Sequence, residues 1–195
     1  LDVYKLARES GSVDVAAALK KYFALTPKGG LKMASPDIPY ELLADGGDAI
    51  RGKAIINGHL GANCIACHRV DSDEGSEVGP SLSKVGAERT KLEIVESMVE
   101  PSAKIVAGFG IETIMLKDGT TLAGSVTKES PKSIDLKLGD GKIQKVSVAT
   151  IASRTPPISL MPPMLGILTP EEIRDVVAYL SGLKPKAAKS IKTKK

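Results

Sequence analysis

Apolar residues recur at helical spacing in three well-bounded stretches of the chain. Asp48 precedes Ala49, Ile50, Lys53, Ala54 and Ile56-Asn57, and the run ends at Gly58, so the spacing predicts a helix with Asp48 as N-cap. Leu92, Ile94-Val95 and Met98-Val99 repeat on one face between Thr90 and Val99, and Glu100-Pro101 stops the run. Thr169-Pro170-Glu171-Glu172 is a cap with Pro at the first position and acids in the first turn, leading through Ile173, Val176-Val177 and Tyr179-Leu180 to Gly182. Two shorter helical patterns parted at Gly11, with Ser12 as cap, cover Leu1 to Ala24, before Thr26-Pro27-Lys28-Gly29-Gly30 breaks them. A looser segment with Pro36 and Pro39 follows, reaching Gly46-Gly47.

Between the second and third of these helices the period changes. Glu112 to Leu116, Thr121 to Thr127, Ser133 to Leu138 and Ile143 to Val148 are short β-branched runs. Lys117-Asp118-Gly119, Ser130-Pro131 and Gly139-Asp140-Gly141 separate them, which predicts a meander of about four strands. Helical patterns thus flank a strand-rich stretch over 112–148.

Composition narrows the class. With 42% hydrophobic and 26% charged residues in 195, the chain has room for one domain with additions or two small ones. Aromatic residues are only 3%, with no Trp, so a small Leu/Ile/Val/Ala core gains from a large rigid apolar filler. Six lysines, Lys184, Lys186, Lys189, Lys192, Lys194 and Lys195, sit in a C-terminal tail without acids, and taking them from the net +4 leaves −2 for the rest. Such a tail reads as a solvated terminus, with an acidic partner or a membrane surface as the sharper alternative. No basic patch is interleaved with aromatics, so nucleic acid is not expected as a partner.

The candidate chemistry lies in Cys64-Ile65-Ala66-Cys67-His68. C-x-x-C-H is the attachment motif of a c-type haem: each thiol can form a thioether with a vinyl group, and the adjacent imidazole can serve as an axial ligand. A thioredoxin-like dithiol would need a βαβ context, whereas a helix-like run precedes the motif here and the polar stretch Arg69-Val70-Asp71-Ser72-Asp73 follows it. Structural zinc needs four ligands, and Cys64, Cys67, His68 and His59 would all be consumed, with His68 poorly placed beside Cys67. Both cysteines taken by haem leave none for a disulfide, and such attachment implies assembly outside the cytoplasm. No transmembrane-length apolar stretch or signal-peptide pattern is present, so a processed chain or a domain of a longer exported protein is expected.

A sixth ligand is best sought at Ser159-Leu160-Met161-Pro162-Pro163-Met164, a proline-stiffened stretch before the last helix, with Met161 favoured and Met164 as competitor. His59 reads as a surface or propionate-adjacent histidine, and Arg69 and Arg89 as candidate propionate partners.

His68, Gly79-Pro80, Met161-Pro162, Leu168 to Ile173 and Val177-Ala178-Tyr179-Leu180 together resemble a class I cytochrome c domain. Gly46-Gly47-Asp48 to Gly52-Lys53-Ala54, Val78 to Leu82, Glu96-Ser97-Met98, Pro101-Ser102, Leu116 to Gly119 and Ser159 to Pro162 more closely resemble the planctomycete-type haem-binding domain. That domain is usually C-terminal in large exported proteins with a propeller-type sugar dehydrogenase region and helical repeats. The resemblance spans about Gly46 to Leu183 and rests on the order of the motifs. It implies a mainly α cytochrome c fold over 47–183, interrupted by strands at 109–152, after a helical segment and linker at 1–46 and before a tail at 184–195. It also implies that the Pro80 carbonyl accepts a hydrogen bond from His68.

The expected function is single-electron transfer by one covalent haem c, with His68 and Met161 as metal ligands. The expected redox partners are a dehydrogenase that supplies electrons and a respiratory acceptor or oxidase that takes them, in the periplasm or another exported setting. A five-coordinate haem that binds a gas or reduces peroxide is the alternative, but apart from Arg154 the sequence shows no distal His and Arg pair near the Met161 stretch.

Overall fold

A computed structural model describes residues 6–7, 9–15, 17–18, 32–35, 38–70 and 76–184. The chain enters through a short hairpin, β1 (Met33–Ser35) and β2 (Ile38–Pro39), followed directly by helix α1 (Tyr40–Ala44). Helix α2 (Ala49–Gly58) starts at Asp48, whose carboxylate accepts the amides of Ile50 and Arg51. A one-turn α3 (Val85–Glu88) precedes α4 (Lys91–Val99), where Thr90 and Glu93 form a reciprocal capping box. Thr169 and Glu172 repeat that device at the start of α5 (Pro170–Ser181).

The strands β3 (Gly110–Leu116), β4 (Thr121–Glu129), β5 (Ser133–Leu138), β6 (Ile143–Ser147), β7 (Ile151–Arg154) and β8 (Ile158–Ser159) form one antiparallel sheet. Its order is β6-β5-β4-β3-β7, with β8 also on β3. Gly119 and Gly141 take φ of 88° and 83° in the two Asp-Gly hairpin turns, and each preceding aspartate accepts an amide from the residue after the glycine.

This sheet corrects the expected fold class. The protein is not mainly α: a six-stranded antiparallel sheet stands beside mostly short helices, and it has its own core of Ile114, Ile134, Leu136 and Val146. Strands β7 and β8 are only four and two residues long, so they show no alternation to read; they exist because β3 offers them a free edge. The sheet accordingly runs past residue 152 to Ser159. Helix α1, helix α3 and the β1–β2 hairpin were equally too short for periodicity to mark. Of the two patterns expected over Leu1 to Ala24, residues 6–7, 9, 13–15 and 17–18 are helical, Gly11 parts them with a φ of 64°, and the Ser12 hydroxyl accepts the Val15 amide at 3.4 Å; the rest of that stretch, like the lysine tail after Lys184, lies outside the described residues.

The helical body has a second core, in which Leu43, Ile56, Ile94, Val95, Val176 and Val177 are buried. Helix α5 buries Ile173, Val176, Val177 and Leu180 and carries the buried Asp175. Asp175 accepts the Asp48 amide at 2.7 Å and the Arg51 guanidinium at 2.8 Å, tying α5 to the start of α2. The helices cross so closely that a Cβ on Gly52 would lie 2.0 Å from the Asp175 carbonyl oxygen.

Candidate cofactor site

The C-x-x-C-H pentapeptide is folded by its own backbone. After α2 the chain turns through Asn63, whose φ of 38° is left-handed, a conformation that Asn tolerates better than most residues. One turn of tight helix, Cys64–Ala66, follows, and the amides of Cys67 and His68 both close onto the Cys64 carbonyl at 3.2 and 2.9 Å. Both thiols and the imidazole thereby share a cavity of about 460 Å³, within the range of organic cofactor sites.

The cavity wall is largely apolar: Ile56 from α2, Ile94 and Met98 from α4, Val176 and Leu180 from α5, Val85 from α3 and Leu82 just before it. Cys64 is half-buried and Cys67 exposed, and they form no disulfide. Burial pushes the Cys64 thiol up, the opposite of what a nucleophilic dithiol requires. Among the described residues no group of three His, Cys, Asp or Glu could hold a metal ion, which removes the zinc reading.

His68 is held from behind. Its Nδ1 lies 2.7 Å from the Pro80 carbonyl oxygen. That oxygen can only accept, so Nδ1 is the donor, and in the neutral imidazole this tautomer leaves the lone pair on Nε2. The Gly79 amide donates to the Cys67 carbonyl at 2.6 Å and the Leu82 amide to that of Arg69 at 2.7 Å, fastening the Pro80 segment alongside the motif. A Cβ on Gly79 would lie 2.7 Å from the His68 ring, so only glycine permits this approach.

Met161 and Met164 both line the cavity. Met164 is 3% exposed, belongs to the helical core and donates its amide to the Met98 carbonyl. Met161 is only partly buried and packs against that core. The other arginine and histidine candidates separate clearly. Arg89 is on the wall, as is Lys104, and both reach the Glu93 carboxylate, at 3.7 and 3.0 Å. Hydrogen bonds from the Thr90 amide, Lys104 and the Thr90 hydroxyl hold Glu93 down to about 2. Arg69 is not on the wall; it pairs with Glu77 in a second, more polar pocket. His59 accepts the Ala62 amide at 3.0 Å and faces Glu172 at 4.0 Å, linking the α2 exit to α5 outside the cavity. Arg154 lies on the sheet between Glu112 and Glu129, which hold its pKa high, and does not line the cavity.

The cytochrome c family profile matches residues 49–184. The chain belongs to the cytochrome c family. No curated protein matches it. Membership brings covalent haem c and haem-based electron transfer, and the site fits that group: two thiols, an imidazole held at Nδ1 by the Pro80 carbonyl and a thioether line one largely apolar cavity. Sequence reasoning missed two features of this cytochrome site. Lys104 carries no pattern of its own and reaches the wall only because the connection after α4 folds back. Asn63 could have been suspected, since Asn is one of the few residues suited to a left-handed turn.

Proposed function

We propose that the chain is a mono-haem c-type cytochrome domain of the planctomycete type, with His68 and Met161 as the axial ligands. The observation that carries this reading is the single cavity that gathers Cys64, Cys67, His68 and Met161, with Pro80 fixing the tautomer of His68. When bound, haem supplies a one-electron couple between ferrous and ferric iron. Cys64 and Cys67 anchor it through thioethers, and the Pro80 carbonyl raises the basicity of the histidine ligand. Met161 is the better sixth ligand because Met164 is committed to the core between α4 and α5. Its thioether favours the reduced state relative to a second histidine. Ile94, Met98, Val176 and Leu180 exclude water, and Arg89 and Lys104 are the cations available to the propionates. The exported setting, a dehydrogenase as electron source and a respiratory acceptor or oxidase as sink belong to this proposal. The gas or peroxide alternative gains nothing from Arg154, whose guanidinium is occupied by two carboxylates.

The test is the optical spectrum of the oxidised protein. The sulfur-to-iron charge-transfer band should vanish in Met161→Ala and survive in Met164→Ala; a high-spin spectrum of the unmodified protein would overturn the ligand assignment. Pyridine haemochrome analysis should report two thioethers, and pigment that extracts into acidified organic solvent refutes covalent attachment.

A further inference from the structure

The Met161 loop is fastened at its backbone by groups that line up from the end of α4 to the sheet. The Ser159 amide donates to the Ser102 hydroxyl at 3.1 Å, and the Ser159 hydroxyl accepts the Met161 amide at 3.1 Å. Three residues on, the Met164 amide donates to the Met98 carbonyl at 2.7 Å. Pro162 and Pro163, between these fixed points, have restricted φ and no amide proton. On the other side, β8 pairs with β3 through Gly110 opposite Ser159 and Ile111 opposite Ile158. Gly110 is closely packed there: a Cβ would lie 2.8 Å from the Pro157 Cβ and 3.0 Å from the Ile105 Cγ2.

A methionine side chain has three rotatable bonds and a neutral, weakly donating sulfur. Its occupancy of a metal position therefore depends on the effective concentration its backbone imposes, much as for any tethered ligand. We infer that Ser102 and Ser159 are positioning residues for the Met161 thioether, and that the β3–β8 pairing lets the sheet govern how firmly that thioether is held. This rests on Met161 being the sixth ligand. It gives the sheet, which places none of residues 111–158 on the cavity wall, a role at the site through Ser159.

Imidazole competes with a thioether for the sixth position, so the haem-loaded ferric protein can be titrated with imidazole while the charge-transfer band is followed. Losing one hydrogen bond weakens thioether retention, and Ser102→Ala and Ser159→Ala should each bind imidazole about five-fold more tightly. Ser102→Thr, which keeps the hydroxyl, should titrate like the unmodified protein. Gly110→Ala, which displaces Pro157, should exceed either serine variant; should it fail to fold, the serine pair still decides. If both alanine variants titrate like the unmodified protein while Met161→Ala lacks the band, the positioning role is wrong and the ligand assignment stands. If Met161→Ala keeps the band, the ligand assignment itself fails.

Discussion

In the helical body, α2 and α5 touch backbone to backbone at Gly52 and share the buried Asp175, though more than a hundred residues separate them in sequence. In the sheet, β3 to β6 pair each with the next through short turns, and Ile114, Ile134, Leu136 and Val146 close a core from neighbours in sequence. The cavity takes its wall from α2, the haem motif, α4, the Met161 loop and α5, and none from Ile111 to Ile158. The site thus lies where distant segments converge, and the locally folded sheet meets it at its rim. Long-range convergence shapes a cavity that no single segment could enclose, while a meander of local hairpins can be inserted without disturbing that convergence.

The largest break in this contrast should come from Gly52→Val. Its side chain would have to displace the Asp175 carbonyl, so the α2–α5 crossing should lose about 3 kcal/mol or more, visible as a collapsed thermal transition and lost haem incorporation. In the sheet, Leu136→Ala should cost about 3 kcal/mol, yet leave the haem spectrum of the folded fraction unchanged. A spectrum altered as strongly as by Gly52→Val would show that the two cores are not separable. Asp175→Asn tests the tie between α2 and α5 and should cost about 2 kcal/mol at neutral pH. Burial opposes ionisation of Asp175, but hydrogen bonds from Arg51 and the Asp48 amide prevail, so its pKa in the folded protein is below the ordinary value. Its contribution is therefore present above the unfolded-state pKa of about 3.9 and disappears as pH falls through the lower folded value. Urea titrations across that acid range should show a shallower loss of stability in Asp175→Asn than in the unmodified protein. The smallest effect is expected from Thr90→Ala, which removes the α4 cap for about 1 kcal/mol and, by freeing Glu93, loosens the carboxylate shared by Arg89 and Lys104.

Much of this was legible in the residues themselves. Asp48 and Thr169 announced their helices because capping is local chemistry, and the Asp-Gly pairs announced the hairpins for the same reason. Strands β7 and β8 were not legible, since their reason for being strands is the edge of β3, reached only after folding. For a similar reason nothing in the sequence separated Arg89 from Arg69, or showed that Arg154 would be claimed by Glu112 and Glu129.

By itself, the sequence determined that two thiols and an imidazole stand within five residues, folded by hydrogen bonds three and four residues long that do not depend on the rest of the chain. Tertiary structure alone decided what faces them. It set the Pro80 carbonyl against Nδ1, brought Met161 and Met164 into the same cavity with only Met164 committed to the core, and fastened the intervening loop to Ser102 and the sheet. Those contacts depend on where α5 crosses α2 and where β8 meets β3, and packing, not local preference, settles both.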